Sequence, residues 1–315
     1  MTAPATQTAH GFSTRGWVLF AIMCVLWGIP YLFIKEAVAS FSPAAVVAGR
    51  TLIGGLLLLP FALHRGALRP VLKVWPWVLA FGAIEMAGPF LLLGHAEQTI
   101  PSGLTGLLVA TVPLFAALIA VIGGDRGVLK PARLTGLLVG FAGVAVIVAG
   151  PGLAAGGPGA LLAVGEVLLV ALLYAIAPFI VARKLADVPS LGTITVALFA
   201  VGLFYLPIGL LTQHQVPTLS STTALVALGV LCTAIAFIAF FALIGEVGPV
   251  RAPLFTYVNP IVALSLGILI LGEPITTGLL IGFPLVVIGC WLAATGGSLR
   301  ARGPAKAEPP TAPAP

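Results

Sequence analysis

Charge is what this sequence has least of. Only 8% of its 315 residues are Asp, Glu, Lys or Arg, where a soluble domain carries about 25%. Two long stretches, 134–165 and 188–245, contain no charged residue at all. With 60% hydrophobic residues and a mean hydropathy of +1.17, a soluble fold is excluded. A water-exposed domain must cover its core with polar groups, and this chain has too few. Cysteine is scarce as well. Cys24, Cys232 and Cys290 each lie alone in an apolar segment, without a CxxC or His–Cys cluster. Metal and disulfide readings therefore lack support, and the three are expected to be small packing residues. His95 and His214 lie near outer span ends and His10 and His64 on the inner side, and no acid–base pair recurs beside them. That counts against an intramembrane enzyme. No strand–turn–helix context for a nucleotide is present, so no cofactor is expected. Residues 1–15 contain no apolar h-region, and the first hydrophobic segment is too long for a cleaved signal; it is expected to be retained.

What is present is a series of apolar runs of about 20 residues. That length crosses ~30 Å of hydrocarbon at ~1.5 Å per residue. Runs such as Leu56 to Leu59 and Ala263 to Leu271 do not alternate in polarity as porin strands do. The expected fold class is an all-α membrane protein with ten transmembrane helices. The spans are placed at 16–37, 43–63, 74–94, 102–122, 134–150, 160–182, 191–211, 223–244, 252–271 and 277–295. The implied organisation is an N-terminal tail (1–15), a first five-helix unit (16–150), a linker (151–158), a second unit (159–296) and a disordered Pro-rich C-terminal tail (297–315).

With the N-terminus inside, the inner segments would hold Arg15, Arg65, Arg69, Lys73, Arg126, Lys130, Arg133, Arg183, Lys184, Arg251, Arg300, Arg302 and Lys306, which is 13 of the 15 basic residues. Lys35 alone would lie outside, and Arg50 falls within the second span. This asymmetry places both termini in the cytoplasm. It also explains the net charge of +6 without a nucleic-acid partner, because the charges are spread over separate loops. Trp17, Trp75 and Trp77 stand where interfacial anchors would.

The two halves resemble each other. The run 135–141, TGLLVGF, recurs at 277–283 as TGLLIGF. Pro43 with Pro189, Pro60 with Pro207, Trp27 with Tyr174, and Pro113 with Pro260 recur about 147 residues apart. Asp125 and Glu273 follow the fourth and ninth spans alike. Repeating an odd number of spans inverts the second copy. Inverted repeats commonly serve alternating access about a midplane site.

Several residues carry a family resemblance. In the first half they are Leu26-Trp27-Gly28 with Pro30 and Lys35, Arg50 before a Leu-rich run, Ala96, Pro113 and Gly123-Gly124-Asp125. In the second half they are Leu173-Tyr174-Ala175, Arg183, Pro260 and Leu271-Gly272-Glu273-Pro274. Over residues 16–298 the chain resembles the EamA-type ten-helix carriers of the drug/metabolite transporter superfamily. It departs at Asp125, where that family more often has Glu. The resemblance implies a bacterial inner-membrane carrier, often an exporter of amino acids, related metabolites or drugs.

Ionisable groups inside spans are costly and are functional candidates by default. Glu85 lies near the middle of the third span, where a carboxylate could exchange a proton or bind a substrate amine. Arg50 and Glu166 fall at similar depth and are expected to be able to pair, either for packing or for transport. Pro30, Pro113, Pro178 and Pro260 are candidate hinges, and Pro89 and Pro284 also interrupt spans; each frees backbone carbonyls that a cavity can use. Trp27, Tyr31, Thr111, Tyr174, Tyr257 and Asn259 are candidate pathway residues, with interhelical packing as the alternative role. Gly136/Gly140 and Gly278/Gly282 form small-xxx-small pairs suited to close helix contact, between the halves or between two protomers. The expected cavity is bounded by the first, third, fourth, sixth, eighth and ninth spans. The expected function is secondary transport, in the export direction, of a small metabolite such as an amino acid. Partners would be that substrate, membrane lipid and a proton or other coupling ion, in a monomer or homodimer. The rival readings are a multidrug or cation efflux carrier and, further off, an intramembrane enzyme or a channel.

Overall fold

The computed structural model describes residues 13–124, 130–150, 157–248 and 251–296. Asp125, Arg126, most of the linker and both tails lie outside the described residues. Ten helical spans cross the molecule: α1 Thr14–Ala37, α2 Pro43–His64, α3 Trp75–Ala96, α4 Ser102–Ile122, α5 Pro131–Ala149, α6 Gly159–Lys184, α7 Ser190–Thr212, α8 Leu219–Val247, α9 Ala252–Leu271 and α10 Thr277–Thr295. No strand occurs among the described residues. The expected boundaries hold to within a few residues. The largest difference is at α8, which starts at Leu219 because Thr218 caps it, its hydroxyl accepting from Ser221 N at 3.1 Å. Other ends follow the same local chemistry. Ser42 and Thr276 cap α2 and α10, and Gly248, Gly272 and Gly296 stop α8, α9 and α10 at positive φ. Leu210, Leu211, Leu269 and Ile122 project outward, more than two-thirds exposed, as a lipid-facing surface requires.

The spans form two five-helix repeats, and the odd count gives the second the opposite sense through the bilayer. The helix packing follows a pseudo-twofold. The most extensive contacts run between the halves: α5 with α10, α2 with α7, α4 with α9, α3 with α6 and α1 with α8. Exchanging the halves leaves this pattern unchanged, since α1–α8 maps onto α6–α3. At the α5–α10 crossing the backbones touch. A Cβ on Gly136 would lie 2.3 Å from Ala293 N, and one on Gly289 would lie 2.3 Å from Gly140 N. The small-xxx-small pairs thus join the two halves of one chain.

Five spans are not continuous α-helix. α1 breaks at residues 27–29 and resumes at Pro30; α4 breaks at residues 110–111, with Pro113 in the first turn of its second segment. α9 begins as a 3-10 helix, Ala252–Tyr257, before Pro260 opens its α-helical part. In α3 and α8 one π-turn is inserted, at Ala83–Ala87 and Val230–Ile235. The two π-turns start about 147 residues apart, the offset of the sequence repeat. Freed polar groups find partners, as a dry interior demands. At the α4 break, the Thr111 hydroxyl donates to Leu108 O (2.6 Å) and the Cys290 thiol to Ala110 O (3.1 Å). In the α8 π-turn, the Thr233 hydroxyl donates to Leu228 O (2.8 Å). Pro178 does not break its span: α6 runs through it as one helix.

Candidate functional site

These interruptions surround one cavity of about 280 Å³. Its wall is built in pairs. Trp27/Tyr174, Glu85/Cys232, Met86/Thr233, Phe90/Phe237, Val109/Thr256, Ala110/Tyr257, Val112/Asn259 and Pro113/Pro260 all line it. The members of each pair stand about 147 residues apart, so the cavity straddles the pseudo-twofold axis. The remaining lining residues, Pro30, Tyr31, Ile34, Arg50, Leu93 and Gly106, all come from the first half.

Of the residues named from the sequence, Trp27, Tyr31, Glu85, Tyr174, Tyr257 and Asn259 reach this wall, as do Pro30, Pro113 and Pro260. The bounding spans are the six expected plus α2, which contributes Arg50. Thr111 does not reach the wall. It is fully buried behind it, its hydroxyl spent on the orphan carbonyl of the α4 break.

The expected Arg50–Glu166 pair does not form. Glu166 meets His95 instead, Oε2 to Nδ1 at 2.9 Å, linking α6 to the end of α3. Arg50 makes no ion pair among the described residues. Its guanidinium lies over the Phe90 ring, 3.8 Å from the centroid, and its Nε has no hydrogen-bond partner. Stacking on an aromatic face compensates a cation only in part. The wall therefore presents a buried cation that makes no direct ion pair among the described residues. Depth along the sequence put Arg50 and Glu166 level; it could not say which way round their helices each side chain points.

Glu85 sits in the π-turn of α3, and its carboxyl accepts no hydrogen bond among the described residues. Asn259 adds a buried, unpartnered Oδ1. Trp27 closes one side of the cavity. Its Nε1 donates to Cys232 O at 3.3 Å, and its ring packs against Phe237, Phe240 and Phe255 at 5.0–5.6 Å. Phe90, Cys232, Thr233 and Phe237 were not picked out from the sequence. The repeat offset could have found one of them, since Cys232 is the counterpart of Glu85.

An apolar chamber with a few convergent polar groups at the seam of two inverted repeats is the arrangement of a carrier's binding site. The chain covers most of each relative it matches. It is 30% identical over 90% of its length to the "Uncharacterized transporter YvbV" of Bacillus subtilis, covering 92% of that protein. It is 29% identical to the "Uncharacterized inner membrane transporter YedA" of Escherichia coli (82% of this chain, 83% of that one). It is 27% identical to a "Probable terminal-alkyne amino-acid exporter" of Streptantibioticus cattleyicolor (88% and 92%). A solved crystal structure shares the fold, with a TM-score of 0.62 at 23% identity over 89% of this chain and 96% of that one. The sequence profile of one family matches twice, over residues 14–149 and 158–295. The chain is a multi-pass membrane protein that belongs to the EamA-like transporter family.

Proposed function

We propose that this transporter is a secondary carrier that exports a small zwitterionic metabolite of the amino-acid class by alternating access. The observation that carries the reading is the pairing of opposite charges in one aromatic-walled chamber. Arg50 offers a cation that no protein acid contacts directly, and Glu85 offers a carboxyl that accepts no hydrogen bond among the described residues. A solute with a carboxylate and an ammonium group answers both. Trp27, Tyr31, Phe90 and Tyr174 supply apolar and aromatic surface for its side chain, and Asn259 adds a hydrogen-bond acceptor. The amino-acid export named for the Streptantibioticus relative supports the same class.

In this reading the units 16–150 and 159–296 rock about the α5–α10 and α2–α7 contacts. The breaks at Pro30, Pro113 and Pro260 absorb the bending. The 13 inner basic residues favour an orientation in the cytoplasmic membrane with both termini in the cytoplasm. Energy comes from an ion or substrate gradient, with Glu85 as the proton-exchanging group.

The test is counterflow in proteoliposomes. Preloaded unlabelled amino acids should accelerate uptake of labelled ones, with saturation, and Arg50→Gln should weaken the effect by raising the KM. Counterflow by lipophilic cations alone, unaffected by Arg50→Gln, would instead assign the chain to cation efflux. Equal rates with and without a pH gradient would remove proton coupling through Glu85.

A further inference from the structure

The cavity leaves one buried acid unexplained. Glu97, the first residue beyond α3, is 0% exposed, and neither of its carboxyl oxygens has a hydrogen-bond partner. Four charged or titratable groups face it: Tyr31 and Lys35 from α1, Arg50 from α2 and Glu273 from the α9–α10 turn. None of them satisfies it. Lys35 Nζ donates to two backbone carbonyls of the α3–α4 turn, Glu97 O at 2.5 Å and Ile100 O at 3.0 Å. Glu273 spends both oxygens on the first amides of α4, Ser102 N at 2.6 Å and Gly103 N at 2.9 Å. Arg50 is stacked on Phe90. Tyr31 makes no hydrogen bond to it. The Ser102 hydroxyl, on the same turn, is likewise buried and unpartnered.

The α3–α4 turn is thus gripped at both ends. A cation from the first repeat holds its carbonyls, and an anion from the second repeat holds its amides. Between them lies a dry carboxyl. An ionised carboxylate left without a partner in such a place is so costly that the group takes up a proton instead.

We propose that Glu97 is a proton-binding site, separate from the cavity carboxyl Glu85, whose occupancy is tied to closure of this end of the bundle. Burial pushes the Glu97 carboxyl well above the usual carboxylate range, and the Lys35 ammonium opposes this. When the second repeat moves, the α9–α10 turn carries Glu273 away from the α4 amides and water reaches the site. The Glu97 O–H bond then breaks, the proton passes to water, and the carboxylate draws the Lys35 ammonium off the Ile100 carbonyl. Closing returns the proton from the same side. The opening step rests on the alternating-access reading; the proton held in the closed state does not.

Infrared spectroscopy of the full chain in lipid nanodiscs tests the proton. A carbonyl band from a neutral carboxylic acid should be present at neutral pH, persist in Glu85→Gln and be lost in Glu97→Gln. The same band in parent and Glu97→Gln overturns the proposal. Should Glu97→Gln fail to fold, Glu97→Asp must shift the band, and an unmoved band has the same force. Hydrogen exchange at the amides of Ser102 and Gly103 tests the linkage. Their protection, corrected for intrinsic rates, should fall by up to about tenfold per pH unit in the parent, as release of one proton allows. It should be pH-independent in Glu97→Gln. Protection that is pH-independent in the parent overturns the link to closure. Neither readout requires a substrate, so both stand or fall apart from the amino-acid assignment.

Discussion

Replacing Glu273 by Gln should destabilise the folded chain by about 2 kcal/mol. The carboxylate, itself partly exposed, takes two amides at the buried start of α4, Ser102 N at 2.6 Å and Gly103 N at 2.9 Å. Each is a bond to a charged acceptor, worth about 1.5–3 kcal/mol, and the site is partly exposed, so the low end applies. A Gln keeps one neutral bond of about 1 kcal/mol. It turns its NH₂ group toward the second amide, and it gives up the favourable placement of an anion at a helix N-terminus. For a chain of this size the loss corresponds to a melting temperature lower by roughly 3 °C. Thermal unfolding in nanodiscs, followed by intrinsic fluorescence or light scattering, reads it directly. High salt should narrow the difference, because the carboxylate is partly exposed. An unchanged melting temperature would refute the reasoning, since the two amides would then have found other partners at no cost. Glu273→Asp should fall near Glu273→Gln, because the shorter side chain cannot span both amides.

Other outcomes follow from the same geometry. Gly289→Val should cost at least about 1–3 kcal/mol, since even its Cβ would lie 2.3 Å from Gly140 N and the α5–α10 backbones would have to separate; chemical or thermal denaturation measures it. Trp27→Phe should cost only about 0.5–1 kcal/mol for the bond to Cys232 O, whereas Trp27→Ala loses three ring contacts as well and should cost about 3–5 kcal/mol in the same assay. Arg50→Gln should raise the KM for a carboxylate substrate roughly 10- to 100-fold in counterflow, with Arg50→Lys intermediate. Stability should also fall as pH rises. The folded state keeps a proton on Glu97 that the unfolded chain has already released, so its contribution is whole in acid and is lost from the ordinary carboxylate range upward. Glu97→Gln should flatten that slope in a series of melting curves.

The spans were legible because lipid imposes one rule on length and polarity, and nearly every terminus carries a local mark such as Ser42, Thr276 or Gly272. The inverted repeat was legible because the TGLL motif and the prolines keep their order. Azimuth was not. Arg50 and Glu166 lie at matched depth, yet one turns inward onto Phe90 and the other meets His95. Glu97 escaped notice because it falls just past the end of a hydrophobic run, where a charge is expected to be solvated. Its burial comes from Lys35 and Glu273 folding over the turn, contacts made at 62 and about 170 residues' distance along the chain. Pro178 shows the converse: a residue that breaks helices elsewhere is carried within α6 without ending it.

The matched π-turns of α3 and α8 have a consequence for ancestry. An extra residue at the same slot in both halves is most simply inherited from a single gene segment that was copied, and two identical copies would have made a chamber with no head or tail. The slot now holds an acid on one side, Glu85, and a thiol on the other, Cys232. That divergence makes the two sides of the chamber chemically unlike across its own axis, and on the proposed reading a cargo with unlike ends would bind one way round.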